Sequence, residues 1–428
     1  MGIEIGMPRP IRRAMAFGLR LAPIAQRRAC VKVVSLVAPR IAARLASVLE
    51  VHGSPWPSSF AALPLRPDAV AVWGYLRSEI GLGTAARGAL EALRLTGRAA
   101  AGMDVPLPDR ANVDYPVDAP SFRPGTNLAF INPPEILTGE AFFPHRALRG
   151  TRRIAHWAWE LSHLPRAWLP AVDRFDELWA GSNFVAQAIA ETTARKVEIL
   201  PYVVSERELT PRAMARAAAL GLPDEAFVFL CAFDFASHPA RKNPTGAIRA
   251  FVDAFPATDP DGPWLIVKSH GAATTDVVGA RIMEACGGHP RVRAIHAVLS
   301  TQEMALLQDA CDCIVSLHHS EGFGLNIAEC MLAGKAAIAT GYSGNMDFMD
   351  AANSYPVGYK LVDVRDAEYP HHQGQVWAEP DRDDAVELMR HVASRREEAQ
   401  GRGAAARATI LARFTAAAVA RDWTRLLG

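Results

Sequence analysis

Two carboxylates, Glu321 and Glu329, stand with seven residues between them in the stretch HHSEGFGLNIAECMLAG (318–334). An apolar run over 313–317 precedes them. Gly322 and Gly324 lack a Cβ, so the backbone there can approach a ligand closely and adopt positive φ. The helix expected from about 326 offers free amides and a partial positive charge, suited to phosphate or a polarised sugar hydroxyl. Glu321 precedes that helix. A carboxylate in such a place accepts bonds from two vicinal hydroxyls, as on a sugar or ribose. Glu329 has two readings. With Asn326 it has capping-box spacing, which would make it a helix stabiliser; otherwise it joins Glu321 at a ligand.

These side chains need a scaffold that brings strand ends together. Apolar runs recur over 69–76, 126–132, 152–159, 175–182 and 197–204, separated by helix-like stretches such as SEIGLGTAARGALEALRLTG and SNFVAQAIAETTA. The pattern restarts over 226–235, 263–271, 311–319 and 336–342. NPTGAIRAFVDAF lies among these as a helix with Pro244 near its start, and STQEMALLQDA as one capped by Ser300 or Thr301. Strands alternating with helices imply parallel sheets covered on both faces. The expected fold class is α/β: two Rossmann-like domains facing across a cleft, with a seam near 205–222. The domains expected are a basic extension over 1–60, an acceptor-side domain over 61–210 and a donor-binding domain over 211–405. A C-terminal helix over 406–428 is expected to pack back on the acceptor-side domain. Open parallel sheets bind ligands at the carboxyl ends of their strands. That marks the loops at 81–83, 156–160, 234–242, 268–270, 318–324 and 342–345.

Composition narrows the partners. The chain has 428 residues and a formal net charge of +1, so bulk charge makes it no polyanion binder and no nucleic-acid partner is expected. Its six cysteines fit no zinc spacing and read as buried thiols of a reducing, cytoplasmic compartment. No metal site is expected. No apolar run is long enough to span a bilayer. Within residues 1–50, nine arginines and lysines face only Glu4 and Glu50, around the apolar stretches AMAFGLRLAPIA and VKVVSLVAP. One reading is a basic segment lying on the inner face of the cytoplasmic membrane; the other is an extension that is loosely ordered or packs on the body.

The block SEGFGLNIAECMLAGKAAIATGYSGNMDFM resembles the C-terminal signature of retaining glycosyltransferases of family four, which have the GT-B fold. FDFASHPARKNPTGAIRAF, HWAWELSHLPRAWLPAVDRFDELWAGSNFVAQAI and GQVWAEPDRDDAVELMR look like a bacterial surface-polysaccharide branch of that family. The likeness spans roughly 70–425.

The resemblance implies roles. Glu329 would bind the ribose of a nucleotide diphosphate sugar, and Glu321 the hydroxyls of the transferred sugar. Gly322 and the amides of Phe323, Gly324 and Leu325 would lie along the sugar and diphosphate. Lys242 matches the family lysine that steadies the leaving diphosphate, with Arg241 beside it. The family arginine about six residues earlier is Ala236 here, and Arg241 or Lys268 could supply the missing charge. His156 matches a strand-end histidine near the donor sugar, which makes it a catalytic candidate with Glu321 and Lys242. Gly81 and Gly83 match a loop beside the donor phosphates. Trp157, Glu160 and Asn132 are candidates for the acceptor side. No cofactor is implied beyond the nucleotide-sugar co-substrate, and no dedicated metal. The implied activity is retaining hexosyl transfer, mannosyl first, to a glycan or lipid-linked oligosaccharide of a surface polysaccharide such as lipopolysaccharide. The non-enzymatic alternative is a degenerate GT-B protein that binds carbohydrate or acts as a scaffold, which Ala236 alone favours. A GT-B phosphorylase or epimerase has no supporting signal.

Overall fold

The computed structural model describes residues 62–105, 115–117, 121–138, 143, 148–259, 261–271 and 277–428. The basic segment 1–50, and the extension and membrane contact expected from it, lie outside the described residues. The chain divides into two compact units. One holds the described residues up to Ala158 with Pro165–Ala180 and Thr192–Glu198. The other holds Trp159–Leu164, Gly181–Glu191 and Ile199–Gly428.

The first unit is built on six strands: β1 (Leu65–Gly74), β2 (Ala100–Asp104), β3 (Arg123–Ala129), β4 (Arg152–Trp157), β5 (Glu177–Ala180) and β6 (Val197–Ile199). Their order is β2-β1-β3-β4-β5-β6. The pairs from β2 to β5 are parallel. The apolar runs are the strands, because a parallel sheet is buried on both faces. Val70, Ala71, Val72 and Trp73 are all buried. The strand expected over 197–204 ends at Ile199, because Pro201 has no N–H to extend the ladder. The chain beyond it joins the second unit, where Val204 N donates to Phe414 O at 2.8 Å. The chain passes between the units several times, the last between Glu198 and Ile199.

The second unit has strands β7 (Val228–Asp234), β8 (Trp264–His270), β9 (Val292–His296), β10 (Cys313–Ser316), β11 (Ala336–Thr340) and β12 (Tyr355–Val357), ordered β12-β11-β10-β7-β8-β9. Every pair is parallel. Alternation along β7 builds two cores. Phe229, Cys231 and Phe233 pack with Phe251, Val267, Ile338 and Met389. Val228 and Leu230 pack on the other face with Ile266, Ile327, Met331 and Ile410. Each such side chain contributes about 1.5–3 kcal/mol by leaving water. A hairpin of β13 (Tyr359–Asp363) and β14 (Val376–Pro380) forms a separate antiparallel pair. The strand order reverses between β7 and β10. At that point loops diverge to opposite faces and leave a crevice at the strand ends.

The helix Pro244–Ala254 begins as expected, with Asn243 accepting from Gly246 N. Ser300 and Glu303 form a full capping box on the helix Thr301–Ala310. Cys231, Cys311, Cys313 and Cys330 are buried free thiols. Among the described residues no helix is long and apolar enough to cross a membrane.

Candidate active site

The β7 and β10 loops meet at the reversal point of the second sheet. After β7, the Asp234 carboxylate accepts from Ala236 N at 2.8 Å and starts a single 3-10 turn. His238, at φ +58°, redirects the chain into the short helix Pro239–Lys242. Asn243 then donates to Leu317 O at 2.9 Å, which ties this loop to the end of β10.

That tie brings three charges together. Arg241 donates to Ser320 O at 2.7 Å and to a Glu321 carboxylate oxygen at 3.0 Å. Lys242 donates to the other oxygen of Glu321. Arg241 and Glu321 are each more than nine-tenths buried. Burial pushes the Glu321 carboxyl up, but Lys242 and Arg241 outweigh it and hold it well below the usual range. Glu321 is therefore an ionised carboxylate in a dry place. Burial lowers the Lys242 pKa, against the pull of Glu321. For Arg241, Glu321 and Glu160 more than offset burial and raise the pKa.

The backbone around Glu321 is held by neighbouring loops. Glu321 N donates to Ser343 Oγ at 2.8 Å, and Gly344 N donates to Glu321 O at 2.9 Å. Ser182 Oγ donates to Gly322 O at 2.6 Å. A Cβ on Gly322 would lie 2.9 Å from Trp159 O. Gly324, at φ +94°, is the N-cap of the helix Leu325–Leu332 and brings no side-chain cap. The capping-box reading of Asn326 and Glu329 fails here, because the N-cap is Gly324, two residues before Asn326. Glu329 instead accepts from Gln308 at 2.9 Å. Burial raises its pKa, with Gln308 and Arg207 pulling it back. The two glutamates thus occupy separate surroundings.

Glu160, expected on the acceptor side, lies in the second unit. It stands 4.0 Å from Arg241 and accepts from Tyr369 Oη at 2.6 Å. Lys268 sits on β8, across β7 from Glu321, and its ammonium lies 3.1 Å from His270 Nδ1. His156 and Trp157 end β4 in the first unit. His156 is fully buried and stacks on Phe130 with centroids 4.3 Å apart. Trp157 is packed edge-on against Trp168 and Phe175, so its ring is a core aromatic and not an open stacking surface. Asn132 accepts from Ala158 N at 3.0 Å, a tie between strand ends. Gly81 opens the helix Gly81–Leu95. A Cβ on Gly83 would come 2.6 Å from Ser78 O and Tyr75 O, so close packing by itself requires a glycine there.

Sequence reasoning did not single out His318. It is fully buried, and neither ring nitrogen has a hydrogen-bond partner among the described residues. Burial holds it neutral, with a pKa lowered to about 3. Its only sequence signal is its place at the end of an apolar strand. A groove of about 590 Å³ opens beside Asn243, Arg249, Arg281 and His319. Neither Glu321 nor Lys242 lines it, so the charge cluster rather than the volume marks the candidate site. Among the described residues no group of three or more His, Cys, Asp or Glu could hold a metal ion.

Residues 240–408 match the family of glycosyl transferases group 1, a span that contains Arg241, Lys242, Glu321 and Glu329. No curated protein matches the chain. Among solved structures, the fold is similar to a sucrose-phosphate synthase from Thermosynechococcus elongatus, with TM-score 0.61 and 16% identity over 85% of this chain and 98% of that one. It is also similar to a glycosyltransferase from Rickettsia africae ESF-5, with TM-score 0.58 and 13% identity over 85% and 97%. HepE from Anabaena, solved with UDP and glucose, aligns with TM-score 0.55 and 14% identity over 84% and 99%. The fold is that of the GT-B glycosyltransferases.

Proposed function

We propose that the protein is a retaining glycosyltransferase that moves a hexosyl group from a nucleotide diphosphate sugar to an acceptor hydroxyl. The observation that carries this is the convergence of Glu321, Lys242 and Arg241 at the β7–β10 reversal, inside the span matching the glycosyl transferases group 1. Lys242 and Arg241 neutralise the diphosphate as the glycosidic bond lengthens, a role for preorganised cations in a dry site. Glu321 holds hydroxyls of the departing sugar, and Glu329 those of the ribose. The acceptor attacks from the face the leaving group vacates, and its proton passes to the departing phosphate. No resident metal is required, because the two side-chain cations perform the metal's usual task. GDP-mannose is the first donor to test and UDP-sugars the second. The acceptor class is a glycan or lipid-linked oligosaccharide of a cell-surface polysaccharide.

The test is release of nucleoside diphosphate from a panel of GDP-, UDP-, ADP- and TDP-sugars, with and without EDTA, by the parent chain and Lys242→Ala. The expected outcome is turnover of one donor, insensitive to EDTA and lost in the variant. A parent that neither binds nor cleaves any nucleotide sugar would overturn the enzymatic reading in favour of a carbohydrate-binding scaffold.

A further inference from the structure

We propose that Lys268 is an additional anion-binding residue of the nucleotide site and takes a diphosphate oxygen from the β8 side of β7. This rests on the nucleotide-sugar reading above. Lys268 pairs in register with Ala232 of β7 and Ile295 of β9. Ala232, Ile266 and Ile295 belong to the face that the helix Leu325–Leu332 covers. Side chains alternate along a strand, so Lys268, two residues past Ile266, points to that same face.

Its surroundings are electrostatically incomplete. Lys268 is 7% exposed. Among the described residues, the hydrogen-bond partner of its ammonium is His270 Nδ1 at 3.1 Å. A ring nitrogen that accepts from a lysine carries no proton, so the His270 proton sits on Nε2, which faces Asp234 at 3.5 Å. Asp234 spends its other oxygen on Ala236 N. The carboxylate thus fixes the imidazole, and the imidazole fixes the ammonium. Two ammonium protons remain for a ligand. A buried cation without a carboxylate against it is costly until a counter-charge arrives.

A second, independent feature faces the same place. The backbone amides of Gly324, Leu325 and Asn326 donate to no acceptor among the described residues, and no side chain caps their helix. Asn326 Nδ2 reaches Ala232 O at 3.4 Å, the β7 residue paired with Lys268. Free amides and a buried ammonium therefore flank one stretch of β7. An oxyanion with several oxygens satisfies both.

The experiment is calorimetric titration of the full chain with inorganic pyrophosphate, UDP and GDP, comparing the parent with Lys268→Met and Lys268→Arg. Lys268→Met is expected to weaken pyrophosphate and diphosphate binding about tenfold. Lys268→Arg is expected to stay within about threefold of the parent, because the charge is kept but the geometry changes. Burial lowers the Lys268 pKa, with Asp234 pulling it back. Parent affinity should therefore fall more steeply with rising pH than that of Lys268→Arg, whose guanidinium keeps its charge; Lys242, whose pKa burial also lowers, contributes alike to both profiles. Lys268→Met binding pyrophosphate as tightly as the parent, or identical pH profiles for parent and Lys268→Arg, would overturn the inference. A parent that binds pyrophosphate through Lys268 but no nucleoside diphosphate overturns the functional reading instead. A parent that binds none of the three overturns both.

Discussion

The strand ends of the two sheets use their polar side chains differently. In the first unit, polar side chains at or just past the carboxyl ends of β2 and β3 are spent on backbone. Asn132 accepts from Ala158 N at 3.0 Å, and Asp104, the last residue of β2, accepts from Arg77 N at 3.1 Å. Each fixes a loop. In the second unit, Glu321, Lys242 and Arg241 are spent on each other, from loops joined only by the fold. Holding three ionised groups in a dry site costs several kcal/mol per ion before attraction repays it. The sheet itself needs no such cluster, since its two apolar cores close without it. Polar groups that satisfy backbone indicate architecture; charges gathered at a topological reversal indicate a ligand.

The contrast can be broken by a large change in the first unit. Trp157→Ala removes a ring packed against Trp168 and Phe175 and should cost about 3–5 kcal/mol of stability in chemical denaturation. Nucleoside diphosphate affinity of the folded fraction should not change. Trp157→Phe with intact stability but a raised acceptor KM would return Trp157 to the acceptor side. In the second unit, Lys242→Ala should reverse this pattern. It removes a charged donor to the leaving group, which is expected to lower kcat by about 100- to 1,000-fold. Calorimetry should show weaker diphosphate binding, and the unfolding midpoint should move less than in Trp157→Ala. A Lys242→Ala enzyme with parental kcat would remove the charge cluster from the chemistry.

How far these regions could be read beforehand differs for physical reasons. β1, β5, β7, β8, β10 and β11 each contain a near-continuous apolar run, because both faces of a parallel sheet are covered, while β3 and β4 turn apolar only towards their carboxyl ends. β2 (AAGMD) has no β-branched or aromatic residue, and β13 is mostly exposed, so neither carries that signal. At the site, Glu321, Arg241 and Lys242 were legible because each follows a recognisable strand. Glu160 was legible as a strand-end residue, but its partner was not. Tyr369 lies 209 positions away in a stretch with no pattern, and only the fold brings the two together. The capping-box reading of Asn326 and Glu329 fails through a two-residue shift of the helix cap, because helix ends are the boundary that sequence pattern resolves least well.

Acid titration sharpens the comparison within the second unit. The folded-state pKa of Glu321 is depressed. Its contribution to stability is therefore fully present above the ordinary glutamate value of 4.5 and is lost as pH falls from there through the folded value. Glu321→Gln should lower the melting temperature most at neutral pH and converge on the parent in acid. Equal offsets at pH 7 and pH 3 would mean that the carboxylate is not held by Lys242 and Arg241.

The smallest effect belongs to Glu329, and its sign is opposite. Burial raises its pKa, so the folded state resists its ionisation more than the unfolded chain does. The favourable term is fully present below 4.5 and is lost as pH rises through the raised value. Glu329→Gln keeps an amide oxygen for Gln308 to donate to and removes the charge. Its melting temperature should therefore match the parent at low pH and exceed it slightly at neutral pH. The same substitution should weaken nucleotide binding, because a ribose diol bonds better to a carboxylate than to an amide. A variant that gains stability while losing nucleotide affinity would mark Glu329 as a carboxylate kept for its ligand. One that loses both would mark it as a helix-packing residue tied only to Gln308.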